Sequence, residues 1–373
     1  MIGDRQRNRL KERGHRVAIR VVVCYTGGVG KQVIRLLAAD PGFQVVGVLV
    51  HHAEKNGQDA GELAGIEPLG LAATRDVDAL VALRAEVALW LGLTWEPQIV
   101  ARFLAAGTNA YSSIGGWWLP GQPEHDEIVA ACEAGGSSFV AGGNVPGLIS
   151  DVLPMFVSGY TARVSRVRAH QRDHNPHYPS AAQLGVLGMG EEPGPGAASS
   201  LIDAGWMGAA RQSALLVSAG LGLEVTDVRL TGKEYAVAPE EMVLSPSGLR
   251  IRKGTVAGVR WTHLAYCGDN PFYELVVEQT VRLGLGPGWR ESADEPNWRV
   301  EITGVPNVAC EFSLPHDQDL PHDRDGDVMD PVAALNAARA VNFIPRLVEA
   351  APGFRTVLDL PAPRAATLAP GRG

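Results

Sequence analysis

Up to about residue 147, apolar positions alternate between two periods. The residues Val21-Val22-Val23-Cys24 lead into a glycine cluster, Gly27-Gly28-Val29-Gly30, and Val33, Ile34, Leu36 and Leu37 then recur at helical spacing. The pattern predicts strand, tight turn, helix. A second apolar run, Phe43 to Val50, follows at the distance a strand–helix–strand unit needs. Beyond the polar loop His51 to Glu62, Asp76 caps a short helix, and Val87 to Gly92 reads as a third buried strand. A helix over Pro97 to Ala106, a strand over Thr108 to Ser113, a helix over Pro123 to Ala134 and a strand over Ser137 to Gly142 complete the series. Repeated strand-then-helix order implies a parallel, doubly wound α/β sheet.

After Pro146-Gly147 the period shortens. Strand-like runs crowd together at Arg163–Gln171, Glu224–Thr231, Thr255–Tyr266, Phe272–Val281, Trp298–Thr303 and Asn307–Leu314, with one helix, Ala209 to Leu221, among them. Closely spaced strands with few helices predict an α+β second domain on an antiparallel or mixed sheet. The expected boundaries are a disordered tail over 1–16, a dinucleotide-binding domain over 17–147, a substrate and oligomerisation domain over 148–330, and a C-terminal segment over 331–363.

The glycine cluster carries the first candidate chemistry. A glycine turn lets backbone approach a phosphate, and the following helix turns its free N–H groups and positive dipole end to the same place. Against G-x-G-x-x-G, Gly27 and Gly30 fit the last two glycines, while Tyr25 stands at the first. An ordinary strand-to-helix turn would read the same way, and the second strand favours the cradle.

Composition narrows the partners. The chain has 373 residues, 46% of them hydrophobic, and a formal net charge of −8. That balance argues against a nucleic-acid or membrane-surface partner. The cysteines at 24, 132, 267 and 310 form no C-x-x-C pair and read as reduced thiols of a cytoplasmic protein. No apolar run approaches a membrane span, and the charged N-terminus has no secretory core. The acidic run His316 to Asp327 reads as a solvated loop and misses the spacing of a calcium loop.

Several short stretches recur together in one known group. They are Thr26-Gly27-Gly28-Val29-Gly30, Gly57-Gln58-Asp59-Ala60-Gly61-Glu62-Leu63, Pro146-Gly147, Thr255-Val256-Ala257-Gly258, and the ending Val341-Asn342-Phe343-Ile344-Pro345 through Ala351-Pro352-Gly353-Phe354 to Leu358-Asp359-Leu360-Pro361. In their order and spacing the sequence resembles the dihydrodipicolinate-reductase-like oxidoreductases. Within them it is similar to the 2,4-diaminopentanoate dehydrogenase and NAD(P)H-dependent amine dehydrogenase group. The resemblance implies a Rossmann-type first domain, an α+β second domain with a mixed sheet, and a C-terminal helix returning to the first. It also implies hydride transfer between nicotinamide and a C=N or C–N carbon, in a homodimer or homotetramer. Members carry paired glutamates after the fourth strand, where the catalytic carboxylate is expected; here the stretch is Ser112-Ser113-Ile114-Gly115-Gly116-Trp117-Trp118. The asparagine usual before Pro-Gly is displaced to Asn144, with Val145 in its place.

With the glutamates absent, the densest titratable cluster is His170, His174, His177 and Tyr178, expected in the loop after the first strand of the second domain and able to supply a general acid or base. Solvated loop side chains would look the same. The spacing completes no zinc set, so no metal is expected. Trp117 and Trp118 suit either core packing or an apolar wall of a substrate pocket. The cofactor set is Gly27, Gly28, Val29 and Gly30, His51 and His52 at the tip of the second strand, Gly92, Ser113 and Asn144. No acid sits at the strand tip, Glu54 and Lys55 come close behind the histidines, and imidazole and ammonium groups can accept a 2′-phosphate, so NADP is expected ahead of NAD. The expected function is an NAD(P)H-dependent oxidoreductase of a small-molecule imine or amine. Ketone reduction is one alternative, and an inactive nucleotide-binding sensor or scaffold another.

Overall fold

The computed structural model describes residues 18–178, 180–194, 196–314 and 331–365. The expected N-terminal tail and the acidic run lie outside them. The chain divides into two units, Met1–Gly143 with Asp319–Gly373, and Asn144–Gln318.

The first unit opens with β1 (Ile19–Cys24), α1 (Gly28–Ala39), β2 (Phe43–Leu49), α2 (Ala60–Leu63) and α3 (Val77–Ala82). It continues with β3 (Val87–Trp90), α4 (Pro97–Ala105), β4 (Asn109–Ser112), α5 (His125–Gly135) and β5 (Ser138–Ala141). Pro97 sits in the first turn of α4, and α5 ends on Gly136 in the left-handed conformation. Because strand side chains alternate faces, β1 sends Val21 and Val23 to one core and Val22 and Cys24 to the other. Between β2 and α3, Asp59 gathers the chain. Its carboxylate accepts backbone N–H bonds from Gly61, Glu62, Leu69 and Leu71 at 2.7, 3.3, 2.9 and 3.0 Å.

The second unit holds α6 (Leu153–Ser158), β6 (Val164–His174), α7 (Ala181–Val186), α8 (Ser200–Gly220), β7 (Asp227–Val237), β8 (Met242–Val243) and β9 (Arg250–Ile251). It ends with β10 (Val256–Cys267), β11 (Asn270–Thr280), β12 (Trp298–Gly304) and β13 (Val308–Phe312). The main sheet runs β13-β12-β6-β11-β10-β7. It is mixed, with β6 and β11 parallel and the other pairings antiparallel. Helix α8 begins at Ser200 rather than Ala209. Gly205 and Gly208 look like breakers, but Asp203 anchors the first turns by accepting from Trp261 Nε1 at 2.7 Å and Lys233 Nζ at 2.8 Å.

The chain then supplies α9 (Pro331–Glu349) and β14 (Gly353–Arg355) to the first unit. Strand β14 pairs parallel with β5, an extension that the short run after Pro352 does not announce. The sheet order is β14-β5-β4-β3-β1-β2, parallel throughout. On one face, Val33, Ile34 and Leu37 of α1 pack with Val341, Phe343, Ile344 and Leu347 of α9. On the other, Val100, Phe103 and Leu104 of α4 pack with Ile128 and Cys132 of α5. Each fully buried large apolar side chain contributes about 1.5–3 kcal/mol. These stripes outweigh the hydrogen bond that Pro345 removes inside α9.

Candidate active site

The strand-turn-helix at β1 and α1 forms the predicted cradle. Gly27 caps α1 in extended conformation without a side-chain cap, so the first-turn N–H groups of α1 have no intrahelical partner and suit an anion. A β-carbon at Gly27 would meet nothing within 4 Å, so the turn opens to space. A β-carbon at Gly30 would lie 2.0 Å from the Tyr25 carbonyl oxygen, and only glycine permits that approach. The donor set therefore fits a dinucleotide pyrophosphate.

Tyr25 keeps the backbone of the glycine it replaces. Its φ is +78°, at a cost of roughly 1–2 kcal/mol for a residue with a side chain. Its N–H donates to Leu49 O at 2.8 Å, and its ring meets Trp90 edge-on with centroids 5.0 Å apart. Burial first, then the nearby Glu96 carboxylate, pushes the phenol up to about 12. Strand β3 stops at Trp90, so Gly92 lies past its end; Ser113, past β4, donates its N–H to Trp90 O at 3.0 Å. These positions share the carboxyl edge of the sheet with the glycine turn. The sequence pattern left Tyr25 out of the candidate site, although its place in Y-x-G-x-x-G was the available signal.

Past β2, His51 and His52 are exposed, with rings edge-to-face at 5.4 Å, and His52 Nδ1 lies 3.6 Å from Glu54. Lys55 reaches further. Its ammonium donates to Thr26 Oγ1 at 3.1 Å and Thr26 O at 3.4 Å, which brings a cation to the glycine turn. Beside it, Ala53, Asn56, Thr74, Arg75 and Asp76 line an open cavity of about 520 Å³.

The stretch after β4 explains why no carboxylate stands there. Gly115 and Gly116 have φ of +82° and +75°, and the Trp95 indole occupies the space above them. Trp95 stacks on Phe139 at 5.7 Å and donates from Nε1 to Glu124 at 2.9 Å. Trp117 is half-buried against the core cluster of Trp90 and Phe139, its indole nitrogen buried without a hydrogen-bond partner. Trp118 is also half-buried.

In the second unit the structure corrects the placement of the histidines. Strand β6 runs to His174, held by pairing with β11 through Thr280 and by the Asn175 N–H to Thr280 O bond of 2.8 Å. His170 and His174 therefore belong to a strand, not a loop, and share a face with Arg166, Arg168 and Arg172. His170 Nε2 lies 3.8 Å from Glu278. Burial lowers its pKa, and Glu278 partly offsets this. Glu278 is fully buried; Arg260 donates to it from two nitrogens at 3.0 and 2.7 Å. Burial alone would raise its pKa, but His170 and Arg260 hold it below the usual value. His174 Nδ1 is 3.4 Å from Thr280 Oγ1, and exposed His177 is 3.2 Å from Ser245 O. Tyr178 closes a turn on Asn175. Asn144 is buried, its carbonyl accepting from Ile149 N–H at 3.0 Å and its side-chain nitrogen unpartnered. On the opposite face of β6, Asp173 accepts from Trp298 Nε1 at 3.1 Å, Gln279 Nε2 at 2.9 Å and Gln171. Among the described residues, no group of three or more His, Cys, Asp or Glu is placed to hold a metal ion. Nor is any helix there long and apolar enough to cross a membrane.

The family model of the 2,4-diaminopentanoate dehydrogenase C-terminal domain matches residues 148–369, more than half of the chain. The chain belongs to this family. A dihydrodipicolinate reductase N-terminus model matches residues 19–105, which include the glycine turn. An amine dehydrogenase of Streptomyces virginiae is 28% identical over 362 residues, covering 92% of this chain and 96% of that protein. A 4-hydroxy-tetrahydrodipicolinate reductase of Anaeromyxobacter sp. (strain Fw109-5) is 44% identical over 62 residues, 17% of this chain and 23% of that protein. The solved amine dehydrogenase of Mycobacterium smegmatis shares the fold, with a TM-score of 0.72 at 20% identity, covering 94% of this chain and 98% of that one. The family member described here is an NAD(P)-dependent oxidoreductase. A ketone reductase and an inactive nucleotide-binding protein are not favoured.

Proposed function

We propose that this protein moves hydride between the nicotinamide of NADP and the carbon of a small amine or imine. The observation that carries the reading is the uncapped N-terminus of α1 behind an open glycine turn, in a chain of the diaminopentanoate dehydrogenase family. The cofactor, when bound, supplies or accepts the hydride. In the reducing direction the substrate carbon gains hydride, the C=N π electrons become a nitrogen lone pair, and that nitrogen takes a proton; oxidation reverses each change.

The chain's own part is binding, orientation and the proton. The α1 N–H groups hold the pyrophosphate. Lys55, with His51, supports the 2′-phosphate of NADP, and the Asn56–Arg75 cavity supports the adenosine end. Trp117 supports an apolar pocket wall. Gly115 and Gly116 carry no titratable side chain, so the proton at substrate nitrogen falls to His174, His177 or Tyr178. His170, held in the Glu278 cluster, is a structural member of the strand face. Helices α6 and α8 pack on the main sheet, and its Arg166–Glu274 and Arg168–Glu301 pairs lie on one charged face, which supports self-association as a homodimer or homotetramer. Light scattering after size exclusion reads the assembly state; a monomer refutes self-association.

The test of function is NADPH consumption with a panel of ketones, with and without ammonia or simple amines. Turnover that requires the amine is the expected result. Turnover of ketones alone, or none with any pair, overturns the proposal.

A further inference from the structure

Tyr25 stands out among the residues left without a role. At +78° its φ lies where glycine is at ease and a residue with a side chain is strained. The protein keeps a large side chain there, and a second position is shaped to receive it. A β-carbon at Gly92 would lie 2.7 and 2.8 Å from Cδ2 and Cε2 of the Tyr25 ring. The ring therefore fills a slot that glycine at the end of β3 leaves open, with Trp90 as its side wall.

The sheet order places this slot. Strand β1 lies between β2 and β3, so the chain's crossovers depart in opposite directions on either side of the gap between β1 and β3. In open parallel sheets, ligands settle outside the carboxyl ends of the strands at such a reversal. Tyr25 follows the last residue of β1, and its ring leans over the end of β3. The pyrophosphate cradle lies two residues on, and the adenosine side lies towards β2. The remaining half of a dinucleotide must leave towards β3, over Tyr25. No hydrogen bond to its hydroxyl is present among the described residues, and the hydroxyl is protonated, a donor, at neutral pH, as a tyrosine's ordinarily is.

We propose that Tyr25 is a cofactor-positioning residue, whose phenol supports the nicotinamide-riboside half of the dinucleotide and donates a hydrogen bond to one of its oxygens. The proposal rests on the dinucleotide reading above. It adds that the glycine-to-tyrosine exchange in the fingerprint is functional and that Gly92 is its structural counterpart.

The test is equilibrium binding, followed by quenching of tryptophan fluorescence, for wild type, Tyr25→Phe and Tyr25→Gly. The probes are NADPH, NADH and adenosine 2′,5′-bisphosphate, which carries only the adenosine half. The expected result is that Tyr25→Phe weakens the preferred dinucleotide roughly three- to tenfold, as loss of one hydrogen bond should. Tyr25→Gly should weaken it at least as much while keeping the native circular dichroism, and the bisphosphate should bind all three proteins alike. Dinucleotide affinities unchanged in both variants overturn the assignment while leaving the cofactor reading intact. Equal weakening of the bisphosphate also overturns it, because that would show a general effect on the turn. A wild-type protein that binds neither dinucleotide refutes the cofactor reading, and the assignment falls with it.

Discussion

The indole of Trp95 lies over Gly115 so closely that a β-carbon at residue 115 would sit 2.3 Å from Trp95 Cγ. At Gly116 the same test brings a β-carbon to 2.7 Å from Phe139 Cζ and 3.2 Å from Trp95 Cζ2. The absence of a carboxylate after β4 is thus a packed arrangement, and it leads to a first prediction. Gly115→Glu and Gly116→Glu will each destabilise the protein by about 2–4 kcal/mol, from left-handed strain plus overpacking, without raising turnover. Thermal melting and steady-state rates check this. In the background of Trp95→Ala, Gly115→Glu should cost less. If Gly115→Glu melts at the wild-type temperature, the indole does not fill that space.

A second prediction concerns coenzyme choice. Lys55 brings its ammonium to Thr26 in the glycine turn. Lys55→Ala should weaken NADPH binding by roughly tenfold or more, the scale of one charge-assisted hydrogen bond, and NADH binding much less. The ratio of the two dissociation constants is the measurement. A ratio that does not move contradicts the role, and a wild-type preference for NADH contradicts NADP as the cofactor.

His263 supplies a pH-dependent prediction. Its imidazole is fully buried on β10 with neither ring nitrogen hydrogen-bonded, and burial lowers its pKa to about 4, with Asp203 opposing the shift. The unfolded chain regains the ordinary value, 6.5, and so binds a proton that the folded state refuses. Stability contributed at this site is therefore complete above pH 6.5 and falls as pH drops towards 4, by about 3 kcal/mol in all. Denaturant midpoints between pH 7 and 4, for wild type and His263→Leu, check the claim. The variant should lose that part of the slope, and parallel curves would refute it.

Proton handling gives a fourth prediction. Replacing the true participant among His174, His177 and Tyr178 with Ala or Phe should lower turnover by about two to four orders of magnitude and leave dinucleotide binding nearly unchanged. His170→Ala should act on stability instead. If all four replacements leave turnover within about tenfold of wild type, the proton comes from elsewhere.

The cluster around Glu278 gives the fifth. Its carboxylate lies among Arg260, His170 and Arg172 and accepts the Arg290 N–H at 3.3 Å. Removing one partner of a buried ion pair strands the others, so Glu278→Gln should cost about 3–5 kcal/mol. Urea unfolding measures it; a loss below about 1 kcal/mol would place the cluster in the solvent-screened class.

The first sheet was legible because each strand is a short apolar run closed by a turn signal and each helix repeats its apolar residues. The mixed second sheet was legible from strand spacing. Three features were hidden for physical reasons. Helix α8 starts early because Trp261 of β10 and Lys233 of β7 hold Asp203 from two distant strands, which no local propensity reports. Strand β14 has three residues and exists through pairing with β5. His170 and His174 lie in a strand because pairing with β11 runs on to Thr280, overriding the turn-forming Asp-His-Asn-Pro run. At the candidate site, Gly27 and Gly30 were visible as a motif. Tyr25 was visible at the first fingerprint position and Lys55 behind the two histidines, but what their side chains touch was not, and Trp95 becomes notable only through its contact with Gly115.

Strand β14 and helix α9 have a consequence for biosynthesis. The pairing of Phe354 with Phe139 and the bond from Ser138 Oγ to Leu347 O join positions separated by the whole second unit. A ribosome that has finished β5 has made five strands of the first sheet, yet Val87, Tyr111 and Val140 still lack the helix that covers them. The nascent chain must hold that half-covered face, shielded over β1 and β2 by α1, until the second unit is made and α9 emerges. The first unit thus reaches its final form only after the second unit has been made, and a stop before Pro331 would leave β3, β4 and β5 open on that face to other chains.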